Sequence, residues 1–402
     1  MKVYKPVFAA LIAFGMISNS FAAYGKSPAS SRKASHYGYA SMKSSKCASA
    51  VQSGNSYASK GHYKSCWSNR VAVSGDLTAV LGSFSDDNGT IKGDSMSWTV
   101  RNVNLAVDAH INRNLMTHVL LSHQGIDPWT TAQSRSIEGV ATGAVALGVS
   151  EAFFVYKNDD VVPMTVKLGK GFTSFGNVSN PFAVAPTLTQ ALTQFNTQTL
   201  DFGFKNQASS DMSFNGNVFL YNTNTESVTK DKTAFGLKAG FGTKVSGAKL
   251  NGNVSFVTDY APVVKSASTV IVNTAATITK AKSAFNVRFD GSYQGFKAGV
   301  DFTSAGSLDA DNADTTKLAT FGVNLAYGTD MNGMPMSFGA FFEDAGKKSE
   351  DIVTFKTAMG VNATVGVWKN FNLGLNFNQY KHTVAAGGKN MSAFFVTGEY
   401  SF

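Results

Sequence analysis

The chain ends in Met-Ser-Ala-Phe-Phe-Val-Thr-Gly-Glu-Tyr-Ser-Phe, residues 391–402, whose side chains alternate between two faces. The apolar face carries Phe394, Val396, Tyr400 and Phe402, with Gly398 in the gap. The more polar face carries Ala393, Phe395, Thr397, Glu399 and Ser401. A face that suits lipid opposite a face that suits water is typical of a strand in a transmembrane β-barrel. A soluble β-sandwich can also end on such a strand, so the rest of the chain has to be consistent.

The N-terminus has the pattern of a secretory signal peptide. Lys2 and Lys5 precede an apolar run at 7–17, and small residues follow at 18–23. This order predicts a cleaved peptide, and we expect cleavage after Ala22. The apolar run is too short to span a bilayer, and no later stretch reaches about 18 apolar residues. The exported chain then stays in the periplasm or enters the outer membrane as a barrel, because only helices and closed barrels satisfy their backbone in lipid.

The basic excess of the chain is confined to its first 70 residues. The 402 residues include 35 Lys and Arg against 26 Asp and Glu. Two lysines lie in the signal peptide, and residues 24–70 hold eight Lys or Arg with no Asp or Glu. From residue 71 onward, 25 basic residues stand against 26 acidic ones. We therefore predict no nucleic-acid binding, although a strongly basic chain would ordinarily suggest it.

Three segments follow from this division: a signal peptide at 1–22, a low-complexity basic periplasmic extension at 23–70 and a barrel at 71–402. The extension is rich in Ser, Lys, Gly and Tyr and has no periodicity, which favours disorder. It is either a solvated linker or an arm that touches anionic lipid headgroups or another envelope polymer. Cys47 and Cys66 are the two cysteines of the chain. We expect them to pair in an oxidising periplasm, and they are a poor zinc site without neighbouring histidines.

From residue 71 the hydrophobic pattern has a period of two, the primary signal of a β-strand. In residues 370–380, for example, Phe and Leu at odd positions alternate with Asn and Gly at even positions. Sixteen runs of this kind are predicted as strands: 71–82, 96–109, 115–123, 149–157, 163–170, 199–206, 213–222, 233–242, 249–258, 284–292, 295–304, 318–327, 335–343, 355–365, 370–380 and 391–402.

The lengths of the connections support an even number of strands. Counted along the chain, each odd-numbered connection is long and each even-numbered one is short. Outer-membrane barrels have short periplasmic turns and longer outer loops. The sequence therefore predicts an all-β fold, an antiparallel transmembrane barrel of about sixteen strands surrounded by the lipid of a Gram-negative outer membrane. Side chains alone cannot fill such a barrel, so we expect a water-filled lumen that passes a small solute.

The fifth connection, residues 171–198, is the longest and is rich in Phe and Leu. It is too apolar to float in water, so we expect it to pack. One interpretation folds it into the lumen as a constriction. The other places it over the rim as a structural plug. On the first interpretation the side chains presented to a solute are Lys170, Phe172, Phe175, Asn177 and Gln190.

Two stretches in this region carry a family resemblance. Gly-Lys-Gly-Phe-Thr-Ser-Phe-Gly-Asn at 169–177 and Pro-Thr-Leu-Thr-Gln at 186–190 resemble the LbtU family of siderophore porins. The resemblance implies a sixteen-stranded outer-membrane barrel that admits iron as ferric siderophore, with no bound cofactor. Family members often carry a heptad-patterned segment before the barrel, whereas residues 24–70 here are rich in Ser and Lys. Homo-oligomerisation therefore stays open.

A second resemblance concerns the C-terminus. Phe402 with Tyr400 two positions earlier resembles the assembly signal of bacterial outer-membrane barrels, which implies the barrel-assembly machinery as a partner.

Charged side chains of the predicted strands fall on the lumen face. The basic ones are Lys167, Lys205, Lys238, Arg288, Lys297 and Lys356. The acidic ones include Asp76, Asp108, Asp201, Asp290, Asp301 and Glu343. Lys238, Arg288 and Lys356 are candidates to attract an anionic ferric siderophore. Alternatively these charges pair across or along strands, as Arg288 with Asp290 and Lys297 with Asp301.

Catalytic and metal-binding patterns are weak. His118 and His123 are five residues apart and point to opposite faces of a strand, which makes a poor metal site. No nucleophile motif stands out, so we predict no enzyme activity. The alternatives to a siderophore porin are a general or differently selective porin, and a surface enzyme or adhesin that uses the loops at 124–148 and 259–283.

Overall fold

The structure, a computed structural model, describes twelve parts of the chain. They are residues 71–86, 97–124, 148–158, 163–176, 188–193, 195–223, 233–262, 278–281, 283–310, 313–346, 355–382 and 390–402. The predicted signal peptide, the basic extension and the Cys47–Cys66 pair lie outside these residues.

The described residues form seventeen β-strands and one short helix. The strands are β1 (Val71–Asp86), β2 (Ser97–His110), β3 (Leu115–Gln124), β4 (Gly148–Asn158), β5 (Met164–Phe172), β6 (Asn196–Gln207), β7 (Met212–Asn222), β8 (Thr233–Val245), β9 (Ala248–Val257), β10 (Ile278–Ala281), β11 (Ala284–Tyr293), β12 (Phe296–Ala310), β13 (Ala313–Met331), β14 (Met334–Ala345), β15 (Phe355–Trp368), β16 (Phe371–His382) and β17 (Asn390–Ser401). The helix α1 is Leu188–Ala191. Among the described residues, no helix is long and apolar enough to cross a membrane.

Sixteen long strands close into one antiparallel barrel. Each pairs with its sequence neighbours, and β17 returns to β1 with Asp76 opposite Ser401. β9 pairs directly with β11. The four-residue β10 does not interrupt this pairing, and it pairs with the C-terminal end of β12. All sixteen predicted strands are present. Closure leaves no sheet edge, which is the condition for a β-structure to span lipid.

The two faces of the wall differ as the alternation predicts. On β17, Phe394 and Tyr400 are 39% and 46% exposed, whereas Phe395 between them is 1% exposed. The same contrast recurs around the barrel, where most of the exposed large hydrophobic side chains are Phe, Leu, Val and Met on outward positions. At the end with the tight turns, aromatic side chains gather on the outer surface: Tyr293, Phe296, Tyr327, Trp368, Phe371, Tyr400 and Phe402. An apolar band with an aromatic girdle is what a barrel presents to a membrane.

The connections at one end, which we call the turn end, are all short; the other end, the loop end, carries the longer connections and also the two residues between β12 and β13. Four turns at this turn end have only two residues, and three of them are Ser246-Gly247, Gln294-Gly295 and Asn332-Gly333. Both residues of each have positive φ, for example 49° and 84° in the first. Two consecutive positive values define the hairpin turn whose twist matches that of the flanking strands. Outer-membrane barrels have their short turns in the periplasm, so we assign the turn end to that side.

One predicted connection is wrong. A loop at 305–317 was expected between two strands, but β12 and β13 continue through this region and leave only residues 311 and 312 between them. Their pairing contains irregularities between Ser304 and Ser307 and between Leu308 and Ala310. The backbone ladder therefore continues where the alternation in the sequence stops.

The barrel closes beside its last residue. The backbone N–H groups of Gly75 and Phe402 each donate to the other's carbonyl oxygen, at 3.1 and 3.0 Å. The Phe402 ring covers Gly75 so closely that a Cβ there would lie 2.6 Å from its Cζ. The predicted terminal aromatic residue, Phe402, thus packs where β1 and β17 pair to close the barrel.

Candidate functional site

The fifth connection turns inward between β5 and β6. At its neck the Thr173 N–H donates to the Phe195 carbonyl oxygen at 3.2 Å. Phe175, Leu188 and Leu192, which belong to this connection, are at most 1% exposed. These apolar side chains are therefore packed, as the number of Phe and Leu residues in the connection predicts.

The helix α1 sits on the wall opposite the strands that carry it. It contacts β12, β13 and β14, and β14 is eight strands from β5 in a barrel of sixteen long strands. The N–H groups of Leu188 and Thr189 and the Thr189 hydroxyl donate to the Glu343 carboxylate of β14. The first N–H groups of a helix have no partner within it, and Glu343, 3% exposed, supplies one. The fifth connection thus crosses the lumen.

A glycine makes room for this contact. Gly322 of β13 lies opposite Glu343, and a Cβ there would come 3.0 Å from the Thr189 hydroxyl oxygen. A larger residue at 322 would push against α1 and the carboxylate together. The absence of a Cβ atom at Gly322 therefore lets the helix approach the wall.

Further contacts fix the connection to the strands it passes. The Ser174 hydroxyl donates to Asp201 of β6, and the Gly176 N–H donates to the Ser255 hydroxyl of β9 at 2.9 Å. The Tyr260 hydroxyl donates to the Leu192 carbonyl oxygen. Burial raises the pKa of Tyr260, so this hydroxyl stays neutral and donating at physiological pH. Together with Glu343, these contacts hold the segment at four places around the lumen.

Aromatic packing supports the same placement. The ring of Phe175 meets Tyr260 edge-on with centroids 6.0 Å apart, and Phe195 meets Tyr221 in the same way at 5.3 Å. All four side chains are at most 1% exposed. Phe175 therefore lies inside the barrel as predicted, but it packs against protein.

Two other predicted residues lie on the wrong face for a constriction. Lys170 is paired with Gln198, and it shares the outward face of β5 with Leu168, which is 56% exposed. Phe172 lies on that face as well and is 39% exposed. The prediction grouped them with the loop, whereas β5 extends through Phe172 and strand alternation turns both outward. Lys170 instead donates from Nζ to the Val149 carbonyl oxygen at 2.8 Å.

The remaining predicted residues are dispersed. Asn177 lies outside the described residues, and Gln190 belongs to α1, where the structure does not describe its side chain. Lys238 of β8 and Arg288 of β11 line the lumen on either side of β9. Lys356 lies at an irregularity between Phe355 and Thr357 at the loop end of β15. The structure thus brings Lys238 and Arg288 near each other and leaves Lys356 apart.

The charges on this wall are interspersed. Arg288 is 5% exposed and donates from Nε to Asp290 at 2.8 Å, so the predicted pair is confirmed. Asp301 is the acceptor of bonds from Asn286 at 3.0 and 3.1 Å, in place of the predicted pair with Lys297. Lys167 stands directly opposite Asp201 on the neighbouring strand.

A second polar cluster was missed by the sequence analysis. His118 Nδ1 lies 2.6 Å from the Asp108 carboxylate, and its ring stacks on Phe153 with centroids 4.9 Å apart. Lys167 Nζ lies 5.2 Å from the centre of the same Phe153 ring. The signal was present, because a short turn after residue 110 places residues 108 and 118 opposite each other. In the described part of the chain, no three His, Cys, Asp or Glu side chains are grouped so as to hold a metal ion.

Comparison with known proteins identifies the fold. No protein-family profile and no curated protein matches the chain. Among solved structures, Pseudomonas putida OprB has a TM-score of 0.55 at 11% identity, over 83% of this chain and 94% of that one. The Salmonella typhi OmpF complex with daunomycin has 0.51 at 10% identity, over 83% and 97%. The outer membrane channel DcaP of Acinetobacter baumannii has 0.50 at 10%, over 83% and 97%.

At such identities the likeness concerns the fold alone. The chain has the fold of the outer-membrane porins, a closed antiparallel barrel of sixteen long strands. This fold and the apolar outer belt place it in the outer membrane of a Gram-negative bacterium.

Proposed function

We propose that the protein is a porin that lets small hydrophilic solutes diffuse through its lumen. The observation that carries the proposal is α1, which lies against β13 and β14 although its connection leaves the barrel wall at β5. A barrel of sixteen strands encloses more space than its side chains fill. A segment that crosses this space narrows the passage and sets the size of what can pass.

The wall near this segment provides charge selectivity. Lys167, Lys238 and Arg288 line the lumen between β5 and β11, with Asp201 and Asp290 among them. Fixed charges in a narrow aqueous passage raise or lower the local concentration of charged solutes. This function requires positioning and electrostatics, with no covalent chemistry.

A finer proposal names the solute as a ferric siderophore. It is supported by the resemblance of residues 169–177 and 186–190 to the LbtU family. The lumen positions of Lys238 and Arg288 are compatible with an anionic solute. The test is radioiron uptake from ferric siderophore under iron limitation, in cells with and without this gene. If uptake is unchanged while other small solutes enter through the protein, the siderophore proposal is wrong and the porin proposal stands.

The porin proposal itself is tested in planar bilayers. The purified, folded barrel should produce discrete ohmic conductance steps, and vesicles that contain it should swell in small sugars and resist larger ones. The matched variants are Glu343→Gln, which weakens the hold on α1, and Glu399→Gln, which changes a glutamate on the far side of the lumen. A folded barrel that conducts no ions would contradict the proposal.

A further inference from the structure

The lumen is filled in its loop-end half along most of the barrel wall. Six lumen-facing side chains within three residues of the loop end of their strands are at most 4% exposed: Glu151, Thr199, Tyr221, Ala284, Glu343 and Ala393. Phe175 and Leu192 of the fifth connection belong to one buried cluster with side chains of β1, β7 to β9 and β11 to β17. A solute that crosses the lumen therefore needs another part of the wall.

The lumen face of β2 and β3 is different. Val103 points outward and is 36% exposed, so Asn104 next to it faces the lumen, and Ser122 of β3 stands opposite Asn104. Ser122 is only two residues from the loop end of β3, yet it is partly exposed. Among the described residues, β2 and β3 contribute none to the cluster around the fifth connection. The partly exposed lumen-facing side chains, which we call the open strip, are Asn104, Ala106, Asp108, Leu120 and Ser122.

Side-chain hydrogen bonds hold the polar groups of the open strip in place. Ser122 Oγ donates to Asn104 Oδ1 at 2.6 Å, and Asn104 Nδ2 donates to both carboxylate oxygens of Asp76 on β1 at 3.2 and 3.1 Å. Asp108 is 31% exposed, and its carboxylate lies 2.6 Å from Nδ1 of the buried His118. The network connects three neighbouring strands, so it fixes these groups beside the space that the fifth connection leaves open.

The charge beside the open strip is negative. Asp76 and Asp108 carry it, and the described side chains of β1, β2 and β3 include no Lys or Arg. Arg113 lies in the turn between β2 and β3, and Lys157 lies at the turn end of β4, so both are at the mouth of the lumen. Lys167 of β5 stands opposite an aspartate of β6. Fixed carboxylates beside a narrow aqueous passage concentrate cations and repel anions.

We propose that solutes cross the barrel along the open strip, beside the fifth connection, and that Asp76 and Asp108 make this route selective for small cations. The oxygen atoms of Ser122 and Asn104 can accept further hydrogen bonds from the water around a solute. This inference rests on the proposed function and adds to it the route and the sign of the charge. A ferric siderophore with net negative charge is disfavoured on this route, which restricts the finer proposal to ferric siderophores without it.

The route is tested by cysteine modification in planar bilayers. In the full chain with Cys47→Ser and Cys66→Ser, Ser122→Cys places a thiol on the open strip. The matched variant is Ala393→Cys, which also faces the lumen near the loop end but is 1% exposed. Each barrel is treated with a methanethiosulfonate that carries a trimethylammonium group or one that carries a sulfonate. Heat-modifiable migration checks that both variants are folded.

The trimethylammonium reagent should reduce the conductance of Ser122→Cys and leave that of Ala393→Cys unchanged. It should react at Ser122→Cys several-fold faster than the sulfonate reagent, once each rate is divided by that reagent's rate with a free thiol in solution. Adding Asp76→Asn and Asp108→Asn should abolish this preference, because the shape of the route is kept and its charge is lost.

The same two substitutions should lower the potassium-to-chloride permeability ratio several-fold in a salt gradient. The control is Asp330→Asn, which removes one carboxylate at the turn end of β13, far from the open strip, and should leave the ratio nearly unchanged. If the parent chain conducts but Ser122→Cys is insensitive to both reagents, or reacts faster with the sulfonate, the route is wrong and the porin proposal stands. A folded parent chain that conducts no ions would overturn both.

Discussion

The two sides of the lumen are built from the same alternating strands but are covered differently. On the side from β6 to β14, a segment of the chain donates hydrogen bonds to Asp201, Ser255 and Glu343 and accepts one from Tyr260. On the side from β17 to β1, the covering is apolar: Val80, Ala393 and Phe395 are at most 2% exposed and belong to the same buried cluster as Phe175 and Leu192 of that segment. Strand alternation therefore determines that a side chain faces the lumen, but contacts distant in sequence determine whether it faces solute or protein.

The largest effect is expected at the seam between β1 and β17, where the barrel closes. A Cβ at Gly75 would lie 2.5 Å from the Asn104 carbonyl oxygen and 2.6 Å from the Phe402 ring. Gly75→Ala should therefore destabilise closure by more than about 3 kcal/mol, the upper range for overpacking. The measurement is the yield of heat-modifiable, folded barrel.

Gly398→Ala is the control for that prediction. It also adds a methyl group beside the seam, but its nearest neighbour is the Phe371 ring at 3.4 Å, an ordinary contact. The control should fold normally. If both variants fold equally well, the close fit of Phe402 over Gly75 does not matter for closure.

The next effect concerns the hold on α1. Glu343→Ala removes the acceptor of the hydrogen bonds from Leu188 and Thr189. Hydrogen bonds to a charged group contribute about 1.5–3 kcal/mol each. The undocked state of the fifth connection should gain at least about tenfold in population, since 1.4 kcal/mol is a factor of ten.

This gain is measured as larger and noisier single-channel conductance. Glu399→Ala, on β17, should leave the noise unchanged, because α1 is held against β12, β13 and β14. Unchanged conductance in Glu343→Ala would mean that α1 does not limit the passage.

A smaller effect is expected from the charges of the opposite side. Lys238→Glu with Arg288→Glu should shift the reversal potential in a salt gradient toward cation preference, because fixed lumen charge sets the local ion concentration. Lys356→Glu, at the loop end of β15, should shift it less. If the double variant has the same reversal potential as the parent chain, these two residues do not determine charge selectivity.

The smallest effect is the dependence on alkaline pH. Burial raises the pKa of Tyr260 above its ordinary value of 10.0. Its contribution is therefore complete below pH 10 and declines as the pH rises further, since only the undocked tyrosine ionises readily. Conductance noise should increase above about pH 10 in the parent chain. Tyr260→Phe should show weaker docking, by about 1 kcal/mol, without that pH dependence.

The sequence predicts most of the barrel because lipid imposes a period of two on every strand. The sixteen runs follow from this pattern alone. It fails at residues 305–317, where the β12–β13 ladder continues through register irregularities that the hydrophobic pattern does not show. It also misplaces Phe172, because β5 extends two residues past its predicted run, and Lys170, because that residue was grouped with the loop although the alternation within the run turns it outward.

The site is harder to predict than the fold. Nothing near residue 188 in the sequence indicates that its N–H group meets Glu343, which is 155 residues away. The pair of Asp108 and His118 is different, since both flank a predicted short turn and their register follows from it. Contacts between strand neighbours can thus be derived from the sequence, whereas contacts across the lumen depend on the closed barrel.

The path of the fifth connection is tested most directly by a disulfide across the lumen. In a chain with Cys47→Ser and Cys66→Ser, Thr189→Cys is combined with Gly322→Cys on β13 or with Ala393→Cys on β17. Both partners line the lumen, but only residue 322 lies beside Thr189. We predict that oxidation joins 189 to 322 in folded barrels and leaves 189 and 393 free. A bond to 393 at a similar rate, or no bond to 322, would contradict the placement of α1 across the lumen.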